Sequence, residues 1–134
     1  MDLERLKKTC EQFRQLFEEH HQEMPEQYLR EWFPVGCCRE VSNTLGLYLK
    51  VNGFGVWESV YGEGILKGEV KTHVWLQKGD IVCDLTLDQF GEEYPKVFVG
   101  NKEKFHSVFY EQKPERYRLN YLEQEVYAVL EKYM

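Results

Sequence analysis

Apolar residues spaced three or four positions apart, with charged residues between them, open the chain and predict an amphipathic helix over residues 2–21. The apolar positions of this helix are Leu3, Leu6, Cys10, Phe13, Leu16 and Phe17. Pro25 interrupts the pattern, and residues 26–33 are predicted to form a short helical turn. The first quarter of the chain is therefore expected to be helical.

Helical spacing returns after a break at residues 34–36. It predicts a second helix that begins at Cys37 or Cys38, runs to Lys50 and is closed by Gly53. Further helices are predicted over residues 101–106 and 120–133.

The middle of the chain changes to short runs of β-branched and apolar residues, which are typical of strands. Two of these runs are separated by Lys78-Gly79, and a two-residue connection with glycine second predicts a β-hairpin. Residues 62–68 are interpreted as a glycine-bearing loop. The predicted strands are residues 56–61, 72–77, 80–86 and 95–99. Helices, then an antiparallel sheet, then a helix form an α+β pattern, and without repeats or linkers residues 1–134 are predicted to be one domain.

Length, composition and charge narrow the classes of protein. The chain has 134 residues, of which 43% are hydrophobic, enough to bury a core. The formal net charge of −6 argues against a nucleic-acid partner, because phosphate contacts need clustered Lys and Arg. No run approaches the ~18 apolar residues of a membrane span, and the N-terminus lacks a signal peptide's apolar stretch. We therefore expect a cytoplasmic protein without a membrane partner, whose four cysteines are reduced.

The predicted hairpin brings two chemically useful side chains together. If Lys78 and Gly79 form the loop, Gln77 faces Asp80 and His73 faces Asp84. Directly opposed residues share a face of the sheet and have Cβ atoms ~4.5–5.5 Å apart. Asp84 could then accept a hydrogen bond from the His73 ring and orient it, as in a nucleophilic triad.

The missing nucleophile is expected where the second helix begins, at Cys37 or Cys38. The partial positive charge of a helix N-terminus and a nearby imidazolium both favour a thiolate. Free backbone N–H groups at the same end could bind an oxyanion. Adjacent residues of a helix point about 100° apart, so we expect one of the two cysteines to face His73.

Three segments of the chain resemble the transglutaminase-like and papain-like cysteine enzymes, in particular small single-domain members of bacterial type. Gly36-x-Cys38-Arg39-Glu40 looks like the nucleophile helix of that superfamily, His73-Val74-Trp75-Leu76 like its histidine strand, and Asp84-Leu85-Thr86 like its aspartate strand. The resemblance covers roughly residues 34–90. It implies a papain/transglutaminase-like core, in which the nucleophile helix packs on an antiparallel sheet. It further implies Cys38 as nucleophile, His73 as general base and acid, and Asp84 as the orienting partner.

The expected function is thiol-dependent acyl transfer or amide hydrolysis, as in a small cysteine peptidase or amidase acting on a peptide or protein amide. Glutamine deamidation, transglutamination and a catalytically idle binding domain are the alternatives. The oligomeric state is left open, and no cofactor or metal is expected. A zinc site formed by Cys37, Cys38, His73 and Cys83 is disfavoured, because these residues lack the Cys-x-x-Cys or His-x-x-x-His spacing of zinc sites.

The oxyanion donor is left open as well, because no Gln stands a few residues before Cys38 as in papain-like enzymes. The substrate or oxyanion candidates are Trp32, Cys37, Trp75 and Gln89. Cys10 and Cys83 are expected to be buried packing residues, and no partner is identified for His20, His21 or His106.

Overall fold

Helices come first, a sheet second and a helix last in the computed structural model, which describes residues 1–116 and 118–134. The helices are α1 (Leu3–His20), α2 (Gln27–Glu31), α3 (Cys38–Val51) and α4 (Tyr121–Glu131). The strands are β1 (Glu58–Leu66), β2 (Glu69–Lys78), β3 (Ile81–Asp84), β4 (Phe98–Asn101) and β5 (Glu111–Arg116). The α+β class predicted from the sequence is confirmed.

The N-termini of α1 and α4 are fixed by local side-chain hydrogen bonds. The Asp2 carboxylate accepts the backbone N–H of Arg5 at 3.1 Å, which caps α1. Asn120 and Glu123 form a reciprocal capping box at the start of α4. None of the described helices is both long enough and apolar enough to cross a membrane.

The strands form one antiparallel sheet in the order β4-β3-β2-β1-β5. Helices α1, α3 and α4 pack on one face, where Leu76 and Cys83 join their apolar side chains. The opposite face carries a second, aromatic cluster that is covered by the segments following β3. Its buried members are Val60, Leu66, Trp75, Val82, Leu87, Phe98 and Phe109. Alternate residues of β2 and β3 therefore project into two different apolar layers.

Residues 62–68 are not the predicted loop, because β1 continues to Leu66 and turns at Lys67-Gly68. Both turn residues have positive φ, 51° and 80°, as a type I′ hairpin turn requires. A Cβ at Gly62 would collide with the Trp75 ring, and one at Gly64 with the backbone that follows His106. These two glycines thus let neighbouring groups pack closely against β1, and they do not interrupt the strand.

The hairpin between β2 and β3 differs from prediction by two residues. Lys78 pairs with Ile81, so the loop is Gly79-Asp80, with Gly79 at φ +61°. A glycine in the first loop position satisfies the positive φ of a type II′ turn. Cys83 consequently lies opposite Leu76, and Asp84 is not directly opposite His73. An even shift keeps both side chains on the same face, whereas an odd one would have separated them.

The C-terminal half contains three further corrections. The strand predicted over residues 95–99 is β4, which begins at Phe98, and residues 101–106 do not form a helix. The Asn101 side chain accepts the N–H of Glu103 at 2.8 Å, which stabilises a turn instead. Strand β5 was missed, because its sequence is polar and includes Pro114, which an edge strand tolerates.

Candidate active site

His73 and Asp84 form a buried hydrogen-bonded pair on the aromatic face of the sheet. His73 Nε2 lies 2.6 Å from Asp84 Oδ2, and the two residues are 1% and 0% exposed. The shifted register places them diagonally across β2 and β3, and the imidazole bridges this longer separation. The second carboxylate oxygen accepts the backbone N–H of Thr86 at 3.0 Å, which fixes the orientation of the carboxylate.

The electrostatics of this pair favour an imidazolium facing a carboxylate. Burial by itself lowers the pKa of His73, because the charged ring loses its hydration. The charge of Asp84 and its hydrogen bond, helped by hydrogen-bonding and charge interactions with Cys38, outweigh burial and raise the pKa to about 9. Burial likewise raises the pKa of Asp84, but the charge of His73 and the N–H groups of His106 and His73 hold it well below its usual range.

Cys38 is the first residue of α3 and is half-buried. No side chain caps this end of the helix, so the backbone N–H groups of the first turn keep their capacity to bind an anion. Ser42, one turn later, donates its hydroxyl to the carbonyl of Val74 at 3.1 Å and ties α3 to β2. The structure thereby brings Cys38 to His73, as the interactions that raise the pKa of His73 also indicate.

Cys37 is a buried packing residue. Its thiol points toward the carbonyl oxygens of Val35 and Tyr28, at 3.5 and 3.8 Å. Burial, with smaller contributions from the charges of Glu40 and Cys38, raises the pKa of the Cys37 thiol to about 12. Cys37 is therefore a poor nucleophile near neutral pH, which leaves Cys38 as the candidate.

Gln89 connects the histidine to the loop that precedes the cysteine. Its Nε2 lies 3.1 Å from His73 Nδ1, and its Oε1 accepts the N–H of Gly36 at 3.4 Å. Nδ1 accepts from Gln89 when it carries no proton. Once protonated, Nδ1 becomes a donor, and the amide has to turn its oxygen toward the ring. Gln89 thus contacts the ring nitrogen that is not bonded to Asp84.

Arg14 of α1 clamps the two loops around the site, although the sequence patterns gave it no role. Its guanidinium makes a bidentate contact with Asp88, at 2.9 Å to each oxygen, and donates to the carbonyl of Leu85. The Phe33 ring lies 4.8 Å away in a cation–π contact. Arg14 therefore joins the segment that carries Gln89 to the segment that precedes Cys38.

His106 is the main site residue that sequence reasoning missed. It lies in the short 3-10 turn His106–Val108, is fully buried, and places Nε2 2.7 Å from Asp84 Oδ2. No sequence signal linked it to Asp84, 22 positions earlier, because a loop and strand β4 intervene. Asp84 is thus the partner of His106 that the sequence did not identify. His20 and His21 are likewise bonded, to Glu23 and to the carbonyl of Arg30.

The two tryptophan candidates differ in environment. Trp75 is fully buried, and its ring centroid lies 5.9 Å from that of His73. It shields the imidazole from water and does not line an open groove. Trp32, at the end of α2, is 62% exposed.

The structure does not bring the four candidate zinc ligands, Cys37, Cys38, His73 and Cys83, together into one site. Cys83 lies on the helix-facing side of the sheet, away from His73, and burial raises the pKa of its thiol. Among the described residues, His73, Asp84 and His106 form the one group of three metal-ligand types. Their nitrogen–oxygen distances of 2.6 and 2.7 Å fit hydrogen bonds, whereas ligands of a tetrahedral zinc with ~2.0 Å bonds stand roughly 3.3 Å apart.

A surface cavity of about 220 Å³ adjoins the site through Gln89. Its lining consists of Leu66, Lys67, Glu69, Lys71, Gln89 and Phe90. A larger cavity of about 550 Å³ includes Asn43 and Glu123 in its lining but neither Cys38 nor His73. Of these two cavities, the smaller is the one whose lining includes a residue in contact with His73.

The comparisons with known proteins add no relative. No protein-family model matches the chain, and the searches of curated proteins and of solved structures found no match. Functional inference for this protein therefore depends on the geometry of the site.

Proposed function

We propose that this protein is a cysteine enzyme of papain/transglutaminase-like type that transfers or hydrolyses acyl groups of a peptide or protein amide. Cys38 is the nucleophile, His73 the general acid and base, and Asp84 the residue that orients His73. Hydrolysis is preferred over deamidation or crosslinking, because water as acceptor needs no second binding site.

The observation that carries the proposal is the buried 2.6 Å contact between His73 and Asp84, next to a half-buried cysteine at a helix N-terminus. A carboxylate that raises the pKa of His73 to about 9 keeps the ring protonated at neutral pH. An imidazolium beside a thiol favours the thiolate, and the helix N-terminus acts in the same direction. Packing of α3 on β2 supports the papain-like core that the sequence resemblance implies.

In the proposed reaction, Cys38 Sγ attacks the amide carbon and the carbonyl oxygen becomes an oxyanion. The backbone N–H at the start of α3 binds that oxyanion, and Gln89 Nε2 is the candidate second donor. His73 then gives the Nδ1 proton to the leaving amine, so the carbon–nitrogen bond breaks and a thioester remains on Cys38. Water, deprotonated by His73, attacks the thioester and releases the acid.

Alkylation of Cys38 by iodoacetamide, followed residue by residue with mass spectrometry between pH 5 and 9, tests the thiolate–imidazolium pair. An ordinary thiol reacts about tenfold more slowly for each pH unit below its pKa of ~8.5. We expect Cys38 to react at pH 6 at least about tenfold faster than such a thiol. The His73→Gln variant should lose this advantage.

His20→Gln is the matched control, because His20 is a histidine bonded to a carboxylate, Glu23, on the surface and far along the chain from Cys38. Its alkylation profile should coincide with that of the wild type. If Cys38 behaves as an ordinary thiol in the folded wild type, the enzyme proposal loses its basis. A positive result justifies screening peptide amides for hydrolysis.

The contact of Gln89 with His73 Nδ1 favours a second candidate, an idle binding domain on the same fold. In that case Gln89 permanently occupies the nitrogen that an active site needs for proton transfer. Gln89→Leu separates the two functions. For an idle domain, removing the amide should increase Cys38 alkylation at pH 6. For an enzyme in which Gln89 binds the oxyanion, it should lower amide turnover and leave alkylation unchanged.

A further inference from the structure

One oxygen of Asp84 is shared by two histidines. His73 Nε2 and His106 Nε2 lie 2.6 and 2.7 Å from the same Oδ2, while Oδ1 accepts the N–H of Thr86. An ionised carboxylate can only accept hydrogen bonds, so the Nε2 atom of each histidine carries a hydrogen. Asp84 is therefore a fully buried anion that accepts three N–H groups.

The second ring nitrogens of the two histidines meet different surroundings. His73 Nδ1 faces Gln89, next to the loop that precedes Cys38. His106 Nδ1 is buried and has no hydrogen-bond partner in the part of the chain that the structure describes. A proton on that nitrogen would be buried without an acceptor, so the ring hydrogen of His106 stays on Nε2. His106 is thus a fixed donor, whereas His73 has a second nitrogen in place for proton transfer.

We propose that His106 is a positioning residue of the candidate triad, which keeps the Asp84 carboxylate ionised and turned toward His73 and weakens its hold on the His73 proton. This inference rests on the proposed function. Its physical reason is that two N–H donors on one oxygen compete for the same negative charge, so each of them receives less than a single donor would.

The surroundings of His73 make this competition measurable. Among the described residues, the charged or titratable groups that act on its ring are Asp84 from β3 and Cys38 from α3, and Gln89 contributes an uncharged amide. His106 acts on His73 through Asp84, and the centroids of the His73 and His106 rings lie 6.4 Å apart. The other close neighbours are the aromatic rings of Trp75, Phe90 and Phe109. A change at His106 should therefore reach His73 through one carboxylate.

The variants His106→Gln and His106→Met separate the donor from the bulk of the side chain. Both side chains are unbranched and similar in length. Glutamine Nε2 can replace the imidazole Nε2–H, whereas methionine offers no donor. The readout is the pH titration of the His73 ring resonances by NMR in the full chain, which needs no substrate and is not moved by a general loss of stability.

We expect His106→Met to raise the pKa of His73 by about 0.5 to 1 unit, a part of the 1 to 3 units that a facing charge contributes. His106→Gln should keep the wild-type value. An unchanged or lowered pKa in His106→Met overturns the proposal, and so do equal shifts in the two variants.

The wild-type protein provides a test that remains valid if these variants do not fold. The ¹⁵N shifts of the neutral His106 ring should show hydrogen on Nε2 and none on Nδ1. Hydrogen on Nδ1 overturns the proposal. Neither measurement uses Cys38, so the role of His106 can fail while the alkylation test succeeds, and the reverse.

Discussion

Replacing Asp84 by Asn should reverse the pH dependence of stability that His73 contributes. The folded-state pKa of His73, about 9, lies above its ordinary value of 6.5, so the native state binds more protons between these values. The stability that this contributes is complete below pH 6.5 and is lost as the pH rises through 9. Without the Asp84 charge, burial of the ring dominates and moves the pKa of His73 below 6.5. Stability of the variant should then fall as the pH drops below 6.5.

The size of the effect follows from the same values. A shift of about 2.5 pH units, from 6.5 to about 9, corresponds to about 3 kcal/mol at ~1.36 kcal/mol per unit. The wild type should therefore lose about 3 kcal/mol of unfolding free energy across this range, with a slope of at most about 1.4 kcal/mol per pH unit. His73 is 1% exposed, so solvent screening does not reduce this value much.

Urea unfolding at pH 5, 6, 7, 8 and 9 measures both slopes. Asp80→Asn is the matched control, because it makes the same chemical change at a turn residue whose side chain is 73% exposed. Titrating groups that contact neither Asp84 nor Asp80 are common to the wild type and both variants, so their contributions cancel in the comparison. If Asp84→Asn keeps the wild-type slope between pH 6.5 and 9, Asp84 does not set the protonation of His73 and the reasoning is refuted.

Two further predictions concern the packing that holds the site in place. Arg14→Ala should lower the unfolding free energy, measured by urea unfolding, by about 3 kcal/mol, because Asp88 loses a bidentate partner. Arg14→Lys should recover less than half of that loss, because an ammonium group cannot make the bidentate contact. Full recovery of the unfolding free energy by lysine would contradict a bidentate role. Gly64→Ala should lower the unfolding free energy by about 1–3 kcal/mol and displace the turn that carries His106, which would shift the NMR resonances of His106. Gly100→Ala is the control, because its new Cβ meets only a phenyl ring and should leave those resonances unchanged. Identical His106 resonances in both variants would refute the close approach at Gly64.

Local patterns were enough to predict α1, α3 and α4, but the helix that they predicted over residues 101–106 does not form. The apolar stripe of α1 lies within a single helix, and so do the residues that begin and end α3. Four of the six stripe residues are fully buried, namely Leu6, Cys10, Phe13 and Phe17. Strands were predicted less well, because their pairing depends on neighbours elsewhere in the chain. The predicted β1 ended at residue 61, before two glycines that permit close packing: Gly62 faces the Trp75 ring, and Gly64 faces the backbone of Val108 and Phe109. Strand β5 carries no apolar pattern of its own.

Cys38, His73, Asp84 and Gln89 were named as candidates from the sequence, whereas His106 and Arg14 were not, and the geometry of the site was not predicted. The register of the β2–β3 hairpin was wrong, yet His73 and Asp84 stayed on one face because the error was even. Their hydrogen bond is diagonal across the hairpin, which a rule for directly opposed residues does not describe. The contact of Gln89 with His73 Nδ1 also follows from the fold, since it depends on the Arg14 clamp between distant segments.

The sequence by itself determined which residue types could do chemistry and which elements carry them, because residue spacing and helix ends are local properties. The tertiary structure decided how these groups share charge. Burial of Asp84 between two histidines, one of them 22 positions further along the chain, sets the protonation of His73. Electrostatic energies depend on distance in space and on exclusion of water, and neither is written in the order of the residues.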